Sequence, residues 1–147
     1  MKKISLLYLC TGNSCRSQMA EGWTRHLKSS EINVYSAGIE THGLNPTAVR
    51  VMAEAGVDIS THTSDLIDRY LDTPIDYVVT VCDHAAETCP VFPGTATVVH
   101  RSFEDPPALA KSAKSEEEAL DAYRRVRDEI KAFVETLPDA LKALSAR

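Results

Sequence analysis

The sequence predicts an α/β domain built on a parallel sheet. Three observations predict it. Short apolar or β-branched runs recur at residues 4–9, 32–37, 77–81 and 95–99, as buried strands require. Segments between and after them carry apolar residues at three- and four-residue steps, the period of helices. Strand and helix patterns therefore alternate, which implies parallel strands joined by right-handed crossovers. At 147 residues the chain reads as one domain, 1–147, long enough to fill a core.

The elements follow in order. Ile4 to Leu9 is short and almost wholly apolar, a buried strand. Ser17 to Leu27 places Met19, Ala20, Trp23 and Leu27 at helical spacing. Ile32 to Ala37 alternates, closed by Gly38. Asn45-Pro46 reads as an N-cap followed by Pro at the first helical position. Val49, Met52 and Ala53 then share a helical face, and Gly56 is the stop. Ser64 to Tyr70 reads as a short helix capped by Ser64. Tyr77 to Val81 is a central parallel strand, followed at once by Cys82, and Thr95 to Val99 is a fourth strand. Ala108 to Lys114, small and charged, reads as a mobile surface loop. Ser115 to Glu118 has capping-box form. It opens a helix with Leu120, Tyr123, Val126, Ile130, Phe133, Val134 and Leu137 on one face. Pro138 interrupts it, and Leu141 and Leu144 suggest one more docked turn.

One stretch concentrates chemistry: Cys10-Thr11-Gly12-Asn13-Ser14-Cys15-Arg16-Ser17. It joins the first strand to the first helix. Gly12 and Asn13 tolerate the dihedrals of a tight loop. Successive backbone N–H groups in such a loop form a nest for an anion, and the following helix adds its N-terminal dipole. Arg16 can grip two oxygens of a tetrahedral oxyanion. A Cys in that field should have a depressed pKa. The chemistry is that of a thiolate, Cys10, beneath a phosphate-like oxyanion. In sheets of this kind ligands bind at the carboxyl ends of the strands. Cys10 and Cys82 both follow a strand directly, so neighbouring strands would bring them to one rim. Cys15 reads as a structural residue turned into the protein.

The net charge of −5 excludes a general basic surface for nucleic acid. The N-terminal apolar run is too short for a secretory signal, and no apolar run is long enough for a membrane span. The expected compartment is the cytoplasm, where four Cys read as reactive or buried thiols rather than a disulfide framework. Cys82 and Cys89 do not have zinc-site spacing. They are either two unrelated half-buried thiols or a redox pair. Closing a bridge between them would need Cα atoms within about 7 Å, so residues 82 to 89 would have to bend or unwind. His26, His42, His62, His84 and His100 show no metal spacing. Asp105, before Pro106, is held extended and could protonate a leaving oxygen.

The octet, with Asp105-Pro106 late in the chain, resembles the low-molecular-weight protein tyrosine phosphatase fold, and within it the thioredoxin-coupled arsenate reductases. The resemblance continues through Gln18 to Gly22, Val34 to Gly43, His62 to Asp65, Val79 to Cys82, Cys89-Pro90 and Arg125 to Ile130. It implies a three-layer architecture with a four-stranded parallel sheet of order 2-1-3-4. It implies reduction of arsenate to arsenite, a detoxifying reaction, with phosphate and sulfate as competing oxyanions. Cys10 would attack arsenate held by the loop amides (Thr11 to Arg16) and by Arg16. Asp105 would protonate the departing oxygen, and Ser17 would help hold Cys10 as thiolate. Cys82 would attack Cys10, releasing arsenite, and Cys89 would attack Cys82, leaving a disulfide for thioredoxin to reduce. No organic cofactor is implied. Some relatives carry potassium behind the loop, and the matching side chains are Asn13, Glu21, Ser36 and Asp65. The chain is expected to be a monomer. A tyrosine phosphatase would share Cys10, Arg16 and Asp105 but needs no Cys82/Cys89 pair. A non-catalytic oxyanion sensor would need neither that pair nor Asp105.

Overall fold

The first apolar run becomes an inner strand because it carries no polar face. In the computed structural model, which describes residues 3–82 and 96–145, β1 (Ile4–Cys10) pairs in parallel with β2 (Ile32–Gly38) and with β3 (Tyr77–Thr80). β3 pairs in parallel with β4 (Thr97–His100), giving the order β2-β1-β3-β4. Leu6, Leu7, Tyr8 and Leu9 are all fully buried. Successive strand residues point to opposite faces, so both faces of the sheet are covered. Burying each such leucine stabilises the fold by about 1.5–3 kcal/mol. The Tyr8 hydroxyl donates to Thr24, whose own hydroxyl donates to the Ala20 carbonyl. Burial pushes the Tyr8 pKa above its ordinary value.

Helix α1 (Arg16–Lys28) buries Met19, Ala20 and Trp23 against the sheet and its neighbours, while Leu27, expected on the same face, is exposed. α2 (Pro46–Glu54) starts as expected: the Asn45 side chain accepts from the N–H groups of Thr47 and Ala48, with Pro46 first in the helix. Its buried face is Ala48, Val51 and Met52 rather than Val49, Met52 and Ala53. The helix meets its neighbours one residue further round than the hydrophobicity suggests. Gly56 ends it at φ +86°.

Two expectations are corrected outright. Residues 64–70 form only a 3₁₀ turn, Ile67–Tyr70. Ser64 does not cap it, because its hydroxyl donates instead to the Gly12 carbonyl. The supposed mobile loop at 108–114 is in large part helix α3 (Pro106–Lys111). Two consecutive prolines suit a first turn, where the missing N–H groups have no intrahelical partner anyway.

α4 (Glu116–Glu135) begins with the Ser115 hydroxyl accepting from the Glu118 N–H. It buries six residues of the expected stripe, and Leu137, just past its end, is buried as the seventh. α1, α2 and α3 pack against it. α5 (Asp139–Ser145) docks on β4 and buries Leu141 fully. Among the described residues, no helix is long and apolar enough to cross a membrane.

Candidate active site

The strand register builds the rim. Cys10 is opposite Gly38 and Leu9 opposite Thr80, so Cys10 and Cys82 leave adjacent strands side by side. Both are buried thiols. The Cys82 thiol lies within hydrogen-bonding reach of the Cys10 sulfur and 3.2 Å from the Thr11 hydroxyl.

The loop between β1 and α1 is held from outside by its carbonyls. The Cys10 carbonyl accepts from Ile39 N–H, Thr11 from Glu40, Gly12 from His42, Ser14 from Asn45 and Cys15 from Met19, at 2.8–3.2 Å. The Asn13 carbonyl accepts from the Gln18 side-chain amide at 3.0 Å. In a trans peptide the N–H points away from the preceding C=O. Carbonyls turned outward therefore turn the amides of Gly12 through Arg16 inward. Among the described residues, none of the amides of Gly12 to Cys15 donates to a carbonyl or side-chain oxygen, and the Gly12 N–H reaches the Cys10 sulfur. Cys15, at the N-cap of α1, offers no side-chain cap, so the helix N-terminus also stays open to an anion.

Asn13 takes the left-handed conformation, φ +47°, as expected of an Asn in a tight loop. At Gly12 the constraint is space rather than dihedral freedom. A Cβ there would sit 2.3 Å from the His42 ring. At Gly38 a Cβ would meet the Glu40 carbonyl at 2.3 Å and the Asn13 nitrogen at 2.7 Å, so the loop lies directly on that glycine.

Arg16 is largely buried. Its Nη1 donates to the Phe103 carbonyl at 3.0 Å, and Nη2 is 3.6 Å from Asp105 Oδ1. Among the described residues, its buried Nε has no partner. Asp105 is extended, as expected, at the N-cap of α3, yet it makes no side-chain cap bond. The next two residues are prolines and have no N–H to offer, so the carboxylate is left to face Arg16. Cys10, Thr11, Gly12, Ser14, Cys15, Arg16, His42, Asp105 and Pro107 line a cavity of about 300 Å³.

The depressed pKa expected for Cys10 is not what the geometry produces. The adjacent Cys82 and burial push it well above the ordinary thiol value, outweighing Arg16 and the Gly12 amide. Burial, with Asp105 nearby, pushes the Cys15 thiol up to about 12, in keeping with a structural residue. The Ser17 hydroxyl, fully buried, accepts from Asn13 Nδ2 at 2.9 Å, leaving its own proton for another acceptor.

Behind the loop, Asn13, Glu21, Ser36 and Asp65 converge. Asn13 Nδ2 donates to Ser36, Ser36 to Glu21, and the Asp65 N–H to Asn13 Oδ1. Glu21 also faces Arg25 at 2.6 Å and Asp65 faces Arg69 at 2.9 Å. Hard oxygens of this kind suit an alkali ion, although each carboxylate already has a guanidinium partner. Among the described residues, no group of three or more His, Cys, Asp or Glu side chains is placed to hold a metal. Cys89 and His84, and the bend expected across residues 82 to 89, lie outside the described residues. His42, Ser64 and Gln18 support the loop without any local motif to mark them.

The family model for low molecular weight phosphotyrosine protein phosphatase matches residues 5–147. The arsenate reductase of Halalkalibacterium halodurans is 53% identical over 140 residues, covering 92% of this chain and 99% of that one. The arsenate reductase of Bacillus subtilis strain 168 is 50% identical over the same length, with the same coverage. A solved structure of an arsenate reductase in the phosphate binding state superposes with a TM-score of 0.70 at 32% identity, covering 91% of this chain and 95% of that one. Another, in the oxidized state, superposes at 0.73 and 33%, covering 90% and 95%. The chain therefore belongs to the low molecular weight phosphotyrosine protein phosphatase family.

Proposed function

We propose that this protein reduces arsenate to arsenite. The observation that carries the reading is a second thiol, Cys82, beside the nucleophile at the floor of an oxyanion loop. Hydrolysis of a phosphate ester needs only the first. The arsenate reductases at 50% identity and above support it.

Cys10 gives its proton to the bound arsenate oxyanion and, as thiolate, attacks arsenic(V) held by the loop amides and the Arg16 fork. One oxygen leaves as water, taking a proton from Asp105, and a Cys10–arsenic bond remains. Ser17 steadies the Cys10 thiolate. Cys82 then attacks the Cys10 sulfur, the arsenic–sulfur pair stays on arsenic, and arsenite departs. The two electrons come from the two thiols, which become a disulfide. Cys89 attacks Cys82, Cys10 is freed, and a dithiol of the thioredoxin class reduces the Cys82–Cys89 bridge. Asn13, Glu21, Ser36 and Asp65 would hold a potassium ion, which would stiffen the loop from behind. Phosphate and sulfate compete for the same site.

The test is NADPH oxidation coupled through thioredoxin and thioredoxin reductase. Sustained turnover should require both arsenate and thioredoxin. Cys89→Ala should stop after about one cycle while still hydrolysing an aryl phosphate. Brisk aryl phosphate hydrolysis without arsenate turnover would move the assignment to phosphatase. Potassium that alters neither Tm nor turnover would remove the ion from the scheme.

A further inference from the structure

We propose that Gln18 is a positioning residue for the oxyanion, the side chain that aims the Ser14 N–H into the cavity. The inference rests on the reading of the loop as an oxyanion site. Of the six carbonyls from Cys10 to Cys15, five are held by backbone N–H groups. The Asn13 carbonyl is held by a side chain, Gln18 Nε2, at 3.0 Å. That peptide plane follows the one residue of the loop with positive φ, a conformation that costs a non-glycine residue about 1–2 kcal/mol. Asn13's own side chain is pinned separately, by Ser17, Ser36 and the Asp65 N–H. Among the described residues, Gln18 alone hydrogen-bonds the plane after it and resists its rotation. If that plane turned, a carbonyl oxygen would face the anion in place of an N–H.

The orientation of Gln18 is fixed by chemistry. Its side chain is fully buried. Its nitrogen faces two carbonyls, Asn13 at 3.0 Å and Thr63 at 2.9 Å, and a carbonyl accepts only from a donor. The amide oxygen is thereby left for His62 Nδ1 at 3.0 Å, which must carry its proton there. All the hydrogen-bonding capacity that Gln18 presents to the loop is thus spent on the plane ahead of Ser14 and on the segment behind it.

The test uses inorganic phosphate. In the wild-type protein, phosphate should shift the Ser14 amide resonance and slow its hydrogen exchange. Gln18→Met, similar in volume but without hydrogen bonds, should weaken phosphate binding about tenfold or more, the loss of one charge-assisted bond. Arsenate KM should rise by the same factor with kcat little changed. Thr24→Val is the control. It removes another fully buried hydrogen-bonding group of α1, remote from the loop, and should keep phosphate affinity unchanged. Wild-type protein that binds no phosphate overturns the oxyanion reading and this inference with it. Wild-type protein that binds phosphate with no response at Ser14 overturns the inference alone, a result that does not depend on any variant folding. So does Gln18→Met with unchanged phosphate affinity and only the loss of stability that Thr24→Val also shows.

Discussion

Arg16→Lys keeps the charge at the oxyanion loop and removes the fork. In the native site the guanidinium divides its donors: Nη1 to the Phe103 carbonyl, Nη2 toward Asp105, and Nε buried without a partner among the described residues. An ammonium presents its protons from one point and cannot reach the Phe103 carbonyl and a tetrahedral anion together. Losing one charge-assisted bond to the anion costs about 1.5–3 kcal/mol. At 1.4 kcal/mol per decade this weakens phosphate binding about 10–150-fold. If the lysine instead stays on the anion, the Phe103 carbonyl loses its partner, about 1 kcal/mol, and Tm falls by about 2–4 °C. Calorimetric titration with inorganic phosphate and a thermal melt separate the two outcomes. Phosphate affinity within threefold of wild type together with an unchanged Tm would refute the reasoning. It would mean that charge alone, and not the planar fork, holds the anion and the 103–105 segment.

The other expectations concern thiols, caps and contacts. Cys82→Ala should speed alkylation of Cys10 by iodoacetamide near neutral pH, because the group that raises its pKa most is gone and Arg16 and the Gly12 amide remain; an unchanged rate by mass spectrometry would remove Cys82 as the cause. Cys15 titrates near 12 in the fold against an ordinary thiol value of 9.0, so its contribution to stability is fully present below about pH 9 and is lost as pH rises toward 12. Urea midpoints taken across that window should decline less steeply in Cys15→Ala. Asn45→Ala removes the acceptor for two amides at the start of α2 and should lower stability by about 1 kcal/mol, read as a Tm drop of about 2–4 °C. Gly38→Ala forces a Cβ against three backbone atoms, of Glu40, Asn13 and Gly12, and should abolish phosphate binding. Gly12→Ala meets first the His42 ring, which can swing away, and should retain measurable binding by the same titration.

Elements whose patterns are strong and local were legible: the β1 run, the Asn45-Pro46 start, the Ser115 cap and the seven-residue stripe of α4. The failures have physical causes. Leu27 sits near the end of α1, where the helix has run past its neighbours, so spacing alone cannot bury it. The Ala108–Lys114 stretch reads as a loop because its residues are small and charged, while in the fold the two prolines before it supply the first turn of α3. Locally, Arg16 and the helix N-terminus favour a depressed Cys10 pKa. The dominant influence, Cys82, is 72 positions away and arrives only through the pairing of β1 with β3. The Cys-to-Arg octet was legible as an anion loop, but His42, Ser64 and Gln18 were not legible as its supports. What they touch depends on tertiary approach rather than on period.

That last failure explains why the resemblance to the family extends where it does. An octet cannot make an anion nest unaided, because nothing within eight residues can turn every carbonyl outward at once. The donors come from elsewhere: Ile39, Glu40 and His42 for the first three carbonyls, Asn45 for that of Ser14, Ser64 again for Gly12, Gln18 for Asn13. Asp65 fixes both the Asn13 side chain and the Gly38 N–H. These positions fall within or beside the stretches Gln18 to Gly22, Val34 to Gly43 and His62 to Asp65. The segments that look conventional outside the octet are therefore the ones that orient its peptide planes. Substitutions there should act on anion affinity without touching the anion, and the distinction between a binding residue and a scaffold residue is drawn in this fold by which end of a peptide bond is held.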